Sequence, residues 1–332
     1  MSLFGSLSIG VSGLNANQNS LNTTAHNLAN VETKGYVRQQ VIQRDRHYNT
    51  IGSNSSSTFQ VGAGVDIASV MQVRDMFLDK AYRLENGRQN FYAVQYDAVA
   101  EIENIFGELE GVAFAQSLED LWTSLQEVSK EPDSIVTRTS LVQSSVSFVE
   151  RAQNIWKQLE NYQHNLNTQI INQVDRINQI AEDISFLSDQ IRYYESNGLE
   201  QANDLRDSRN LLLDELGTMI STTVSEDENG EISVYTEGVP LVTPDHTYKM
   251  DTKEIPGTNL LKPVWTILGD QDVFDLSRAT SSMHNTDIGS LKGLLVARGS
   301  KVANYTDIPV KSDDIPDHVF LEQVNEYNNT IE

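Results

Sequence analysis

Apolar residues recur at Ile155, Leu159, Tyr162, Leu166, Ile170, Val174, Ile177, Ile180, Ile184, Leu187, Ile191 and Tyr194, in steps of three and four. That period puts them on one stripe of an α-helix. From Ile177 through Ile180, Ile184, Leu187 and Ile191 the steps alternate as in a coiled-coil seam, and the extra four-step near Ile170 resembles a stutter. No glycine lies between Gly111 and Gly198, and Pro132 is the one proline there. Helix interiors exclude proline and disfavour glycine, so this region is expected to be helical, with 155–194 a rod of roughly 60 Å. Asn197-Gly198 supplies a left-handed stop. Ala202, Leu205, Leu212 and Leu216 then predict a shorter helix folding back as an antiparallel hairpin. Upstream, Phe77, Leu78, Ala81, Phe91, Val94, Ala98, Ile102 and Ile105 predict a helix from Asp75 to Phe106. Another is expected to begin at the capping box Ser117-Leu-Glu-Asp120 and to end before Pro132, with Asp133 or Ser134 capping the long helix. The expectation is a mainly α chain. Its body is an elongated antiparallel helical bundle, a coiled-coil-like rod over 75–217, with a smaller β-rich region beside it.

After Gly217 the period changes to two. Ile232, Val234 and Thr236 alternate as a strand, Asn229-Gly230 is a strong hairpin signal, and turns fall at Pro240, Pro244 and Pro256-Gly257. With the apolar run Val264–Leu268 this predicts a small β region over 218–280. A second extended segment, 35–74, runs from Tyr36 to Gln43, through a Ser-rich loop at 52–58, and into Val65, Ile67, Met71 and Val73. Residues 281–332 form a return segment. In it Phe320, Val324, Tyr327 and Ile331 open an amphipathic helix that stops at Glu332 without a cap, as a chain cut short would.

At 332 residues the chain is long enough for about two domains. It carries 24 Lys and Arg against 47 Asp and Glu, a net charge of -23, which repels phosphate backbones and excludes nucleic acid as a natural partner. The imbalance lies in the body, because residues 1–48 hold four cations and two anions. With no cysteine there are no disulfides, thiolate metal sites or cysteine nucleophiles. No apolar run is long enough to insert into a membrane, and the N-terminus lacks the charge and apolar core of a cleaved signal peptide.

Catalytic patterns are missing. The histidines at 26, 47, 164, 246, 284 and 318 are scattered, and no nucleophile elbow, Walker loop or dinucleotide fingerprint occurs. Gly62-Ala63-Gly64 reads as a tight bend before a strand. Ser225–Glu231 resembles a calcium loop, but Thr236 stands where a bidentate Glu is needed, so a hairpin with an acidic tip fits better. Asp204, Asp207, Asp214 and Glu215, beside Arg206 and Arg209, read as a helix face laced with ion pairs rather than an acid–base site. No catalytic, cofactor or metal residues are predicted.

The head, 1–34, is distinctive. Leu14, Leu21 and Leu28 are heptad-spaced, yet the first thirty residues contain six Asn, a poor helix former. Such a helix is marginal alone, so the head is expected to be largely disordered until its leucine stripe finds a partner. It ends in Ala25-His-Asn-Leu-Ala-Asn-Val-Glu-Thr-Lys-Gly-Tyr-Val-Arg38. This run resembles the N-terminal signature of the bacterial flagellar axial proteins, the rod, hook and hook-associated family, at Asn27, Ala29, Asn30, Thr33, Gly35, Tyr36 and Arg38. Val61-Gly-Ala-Gly-Val65 resembles a further segment of that family, with Ala63 where Asn is common. Phe114–Arg138, Asn203–Arg209, Asp214–Gly217 and Gly289–Leu295 are similar to the hook-associated junction members rather than to the largely β hook and rod members.

The resemblance implies a structural protein of the hook–filament junction, exported without signal cleavage by the flagellar type III system and located outside the cell. It implies self-association into a helical tube, with the hook protein and a second junction protein as neighbours and an export chaperone acting at a C-terminal segment missing here. Residues 1–34 would be the axial-core helix, packing through Leu14, Leu21 and Leu28. Two competing readings are a hook- or rod-type axial protein and a coiled-coil adaptor that binds a partner helix through 155–194.

Overall fold

The computed structural model describes residues 3–54, 57–107, 114–196, 201–227 and 230–301. The stops and turns expected at Asn197-Gly198 and Asn229, and the helix expected through Phe320, Val324, Tyr327 and Ile331, lie outside the described residues.

The head is helix α1 (Leu3–Ala29), followed by strands β1 (Gln39–Asp45), β2 (Asn49–Asn54), β3 (Ser57–Val61) and β4 (Val65–Gln72). β1 pairs antiparallel with β4, and β2 with β3. Of the Ser-rich stretch expected as a loop, residues 52–54 and 57–58 belong to the paired strands β2 and β3 instead.

Helix α2 (Met76–Phe106) starts where Asp75 accepts from the N–H groups of Phe77 (2.9 Å) and Leu78 (3.4 Å), and ends at Gly107 with φ of 70°. Helix α3 (Phe114–Lys130) begins three residues before the expected capping box. Ser117 lies inside it and donates to Phe114 O (2.7 Å), so its hydroxyl satisfies the preceding turn rather than the helix start. The long helix α4 (Ile135–Glu195) is a rod of about 90 Å. Ser134 occupies its N-cap position without a side-chain capping bond. Helix α5 (Asn203–Met219) folds back along α4.

Strands β5 (Thr222–Glu226), β6 (Ile232–Thr236) and β7 (Val239–Val242) form one antiparallel sheet. Strands β8 (Met250–Glu254), β9 (Leu261–Trp265) and β10 (Gln271–Asp272) form another. The apolar run expected to stay extended to Leu268 turns after Trp265 into a short 3₁₀ helix over Thr266–Leu268.

Helix α6 (Ser290–Arg298) is nearly all buried, lying against α2 and α4. Its approach to α2 is close: a Cβ at Gly293 would lie 2.9 Å from Phe91 O. The preceding loop is pinned by buried Asp287, which accepts from Arg88 (Nε, 3.2 Å) and Tyr92 (Oη, 3.1 Å).

One core unites Leu166, Ile170, Val174, Ile177, Ile180 and Ile184 of α4 with Leu213 and Leu216, Ile232 and Val234, Trp265, and Leu291, Leu294 and Leu295. It crosses the sequence positions 217/218 and 280/281 without a break. Along the seam Ile177, Ile180, Ile184 and Ile191 are buried and Leu187 is half-buried, while Tyr194 is exposed. The seam is consumed by the chain's own core and offers no face to a partner helix.

Candidate functional site

Helix α1 is amphipathic with its faces reversed relative to an ordinary surface helix. Ser12, Ala16, Ser20 and Asn27, at spacings of four, four and seven, line the face that docks on β1 and β4. Ser12 and Ala16 are buried. Ser12 Oγ accepts from Val65 N–H (3.2 Å) and donates to Ile9 O (2.8 Å), and Ser20 Oγ accepts from Gln43 Nε2 (3.3 Å). Small side chains let the helix lie this close. Gly64 completes the fit: its φ is +101°, and a Cβ there would lie 2.1 Å from Ser12 Oγ.

The opposite face carries Leu14, Leu21 and Leu28, which are 68%, 68% and 74% exposed, with Leu7 and Val11 exposed on the same side. A helix that buries serines and presents leucines to water has its stronger association surface unused. The sequence indicated the stripe. The docking face gives α1 a partner inside the chain. Its available signal was the run of small residues opposite the leucines.

The signature residues divide into two groups. Asn27 acts as a clasp: its Nδ2 donates to Gln39 O (2.9 Å), and its Oδ1 accepts from Gln39 N–H (2.9 Å) and Tyr36 Oη (2.7 Å). One amide side chain thereby serves both backbone groups of the first β1 residue. Asn30 Nδ2 donates to His26 O (3.0 Å), and Asn30 Oδ1 accepts from Thr33 Oγ1 (3.2 Å), building the turn after the helix. Gly35 has φ of +84° and faces Leu211 of α5, where a Cβ would lie at 3.4 Å. Tyr36 packs edge-on against His26 at 5.5 Å. Ala29 and Arg38 are exposed; Arg38 O accepts from Val73 N–H (2.8 Å).

A polar joint connects head to body. Asp207 of α5 accepts from Val37 N–H (3.2 Å) and Gln72 Nε2 (2.8 Å), while Asn203 Nδ2 donates to Val70 O (2.9 Å). Burial pushes the Asp207 carboxyl above its usual range, and the bond from Val37 only partly offsets this. Beside this joint lies a cleft of about 610 Å³ lined by Arg74, Lys80, Arg83, Arg206 and Arg209. Its guanidinium groups are paired across elements: Arg74 and Arg83 with Asp214, Arg206 with Glu195 and Glu226, and Arg209 with Glu226. The α5 face carries ion pairs, and their partners lie on other elements, so they tie α5 to its neighbours. Among the described residues, no group of three or more His, Asp or Glu could hold a metal ion, and no helix is long and apolar enough to cross a membrane.

Comparison with known proteins adds to this geometry. The family described as flagellar hook-associated protein FlgK helical domain matches residues 99–311, and flagella basal body rod protein matches residues 7–36, which hold most of α1 and the signature turn. Flagellar hook-associated protein 1 of Bacillus subtilis (strain 168) is 33% identical over 219 residues, covering 65% of this chain and 43% of its own length. The protein of the same name from Escherichia coli (strain K12) is 28% identical over 225 residues, covering 68% and 40%. The structure of the flagellar hook junction protein FlgK from Burkholderia pseudomallei superposes with a TM-score of 0.54 at 21% identity, over 66% of this chain and 39% of that one, a likeness of fold. The chain thus spans about two fifths of the length of the relatives it matches.

Proposed function

Because this chain belongs to the family of the flagellar hook-associated protein FlgK, we propose that it is a structural subunit of the bacterial flagellum that joins hook to filament by helical self-assembly. Leu14, Leu21 and Leu28 of α1 pack against neighbouring terminal helices in the inner tube, and the acidic body faces outward. The hook protein and a second junction protein are its neighbours in the axis. An export chaperone is a further partner, and export leaves the N-terminus uncleaved. The role is mechanical, without catalysis or cofactor.

The reversed amphipathicity of α1 carries this reading. A helix whose small polar face is docked and whose leucines stand 68–74% exposed is built for an external partner. The long helical body favours a junction subunit over a hook or rod subunit, and the buried seam removes the adaptor reading's surface.

Leu21→Asp tests it. Leu21 touches little in the folded chain, so the variant should melt with the parent but fail to self-associate in sedimentation velocity and fail to restore swimming to a strain lacking the gene. Polymerisation and motility equal to the parent's would overturn the proposal.

A further inference from the structure

The two longest stretches without Asp, Glu, Lys or Arg are residues 1–31 and 47–65, in a chain that is 21% charged. The first holds α1, whose leucine stripe already has a role in assembly. The second holds β2 and β3, which have none. These strands pair antiparallel with each other and, among the described residues, with no further strand. They form a two-stranded ribbon with two open edges, along which backbone N–H and C=O groups have no ladder partner. Two strands alone are marginal in water, so the ribbon gains from a third.

Open edges are ordinarily guarded by lysine, proline or an inward-pointing charge. Residues 47–65 contain none of these. β2 bulges between Thr50 and Gly52, which twists its edge without placing a charge there. Thr50 and Gln60 stand opposite each other in the register and are both exposed. The ribbon of β1 and β4 shows the contrast: Arg44 and Asp66 face each other across it at 3.7 Å, and α1 docks on it. Of the four described sheets, the β2–β3 ribbon is the one with no charged residue.

Charge identifies the partner. At a net charge of -23, two copies of this chain repel over most of their surface. A neutral segment is where a second copy can approach without that repulsion. A helical assembly joins unlike patches head to tail, and the two edges of the ribbon are unlike patches, one on β2 and one on β3.

We propose that the outer edge of β3 in one copy pairs with the outer edge of β2 in the next, making the ribbon a second self-association surface of the head. This rests on the helical self-assembly read from α1 and adds backbone pairing to the leucine contact.

Amide hydrogen exchange on the full chain, compared between monomeric and associated samples, separates the two surfaces. Exchange over 49–61 should slow by about tenfold or more on association. Slowing confined to 10–28 would overturn the edge pairing and leave the α1 reading standing. Slowing confined to 49–61 would support the pairing and overturn the α1 reading. A chain that stays monomeric at every concentration would overturn both. Charge supplies a second readout in sedimentation velocity. Thr50→Lys/Gln60→Lys sets like charges across every junction between ribbons and should raise the concentration for half-association by about tenfold. Thr50→Glu/Gln60→Lys sets Glu of one copy beside Lys of the next and should associate like the parent. Both variants should melt with the parent, since both positions are exposed. Association of Thr50→Lys/Gln60→Lys equal to the parent's would overturn the proposal. So would loss of association in both variants, because β3 would then meet β3 and close a dimer instead of continuing head to tail.

Discussion

Gly64→Ala should release the head helix while leaving the body intact. At φ of +101° an alanine sits in a region that costs about 1–3 kcal/mol for a residue with a Cβ. Its methyl would also lie 2.1 Å from Ser12 Oγ, 3.2 Å from Ser12 Cβ and 3.5 Å from Ile9 Cα. Relief requires Ser12 to rotate, losing the Val65 N–H bond at about 1 kcal/mol, or α1 to lift from the sheet. The combined penalty is about 2–4 kcal/mol. What opposes it is modest: burial of Ser12 and Ala16 and a few hydrogen bonds through Ser12, Ser20 and Asn27, each worth about 1 kcal/mol net. The penalty thus matches the docking energy, and α1 should detach. Amide hydrogen exchange followed by mass spectrometry reads this directly. Exchange over residues 10–28 should accelerate by about 100-fold, since 1.4 kcal/mol is tenfold. Residues 166–184, in the core of α4, should keep the parent's protection. Adding Ser12→Gly removes the overlapping hydroxyl but not the backbone strain, so the double variant should recover part of the protection. Unchanged exchange over 10–28 in Gly64→Ala, or a double variant no better than the single, would refute the small-residue docking of α1.

Further tests address the body and the head turn. Ile184→Asp places a carboxylate in the fully buried seam and should cost about 3 kcal/mol or more in urea unfolding, whereas Glu182→Gln, on the exposed side of α4, should be near neutral. Glu195 is held by Arg206 (2.7 and 2.8 Å) and Ala202 N–H (2.9 Å); burial pushes its pKa up, but these bonds outweigh it and leave it below the usual glutamate value. Its stabilisation is therefore complete above that usual value and is lost as pH falls through the lowered one. Glu195→Gln should accordingly destabilise the chain near neutrality and flatten the acid limb of its stability curve, measured as urea midpoints from about pH 3 to pH 7. Asn27→Leu leaves both backbone groups of Gln39 without their clasp and should loosen the head by about 2 kcal/mol, read as trypsin cleavage after Lys34 or Arg38.

The order of the helices was legible in the sequence because their signals are local. The three–four period of α4, the freedom from glycine and proline, and Asp75 at the start of α2 each act within a few residues. The same holds for the β6 alternation of Ile232, Val234 and Thr236, and for the heptad Leu14, Leu21 and Leu28. Asn27, Asn30, Gly35 and Tyr36 were singled out by resemblance, but their bonding was not readable, since one Asn side chain spanning two backbone groups leaves no periodic trace.

Only the tertiary structure decided which faces are used. It set the serines of α1 inward and its leucines outward, and gave Gly64 its meaning through Ser12, fifty-two residues away in sequence. It drew α6 into the same core as α4 and the β sheets, and sent Asp214, Glu215, Arg206 and Arg209 to partners on other elements. The physical reason is that an apolar period states where a helix could bury surface. Whether it does depends on which other segment arrives within contact distance, and that is a property of the packed chain rather than of any window along it.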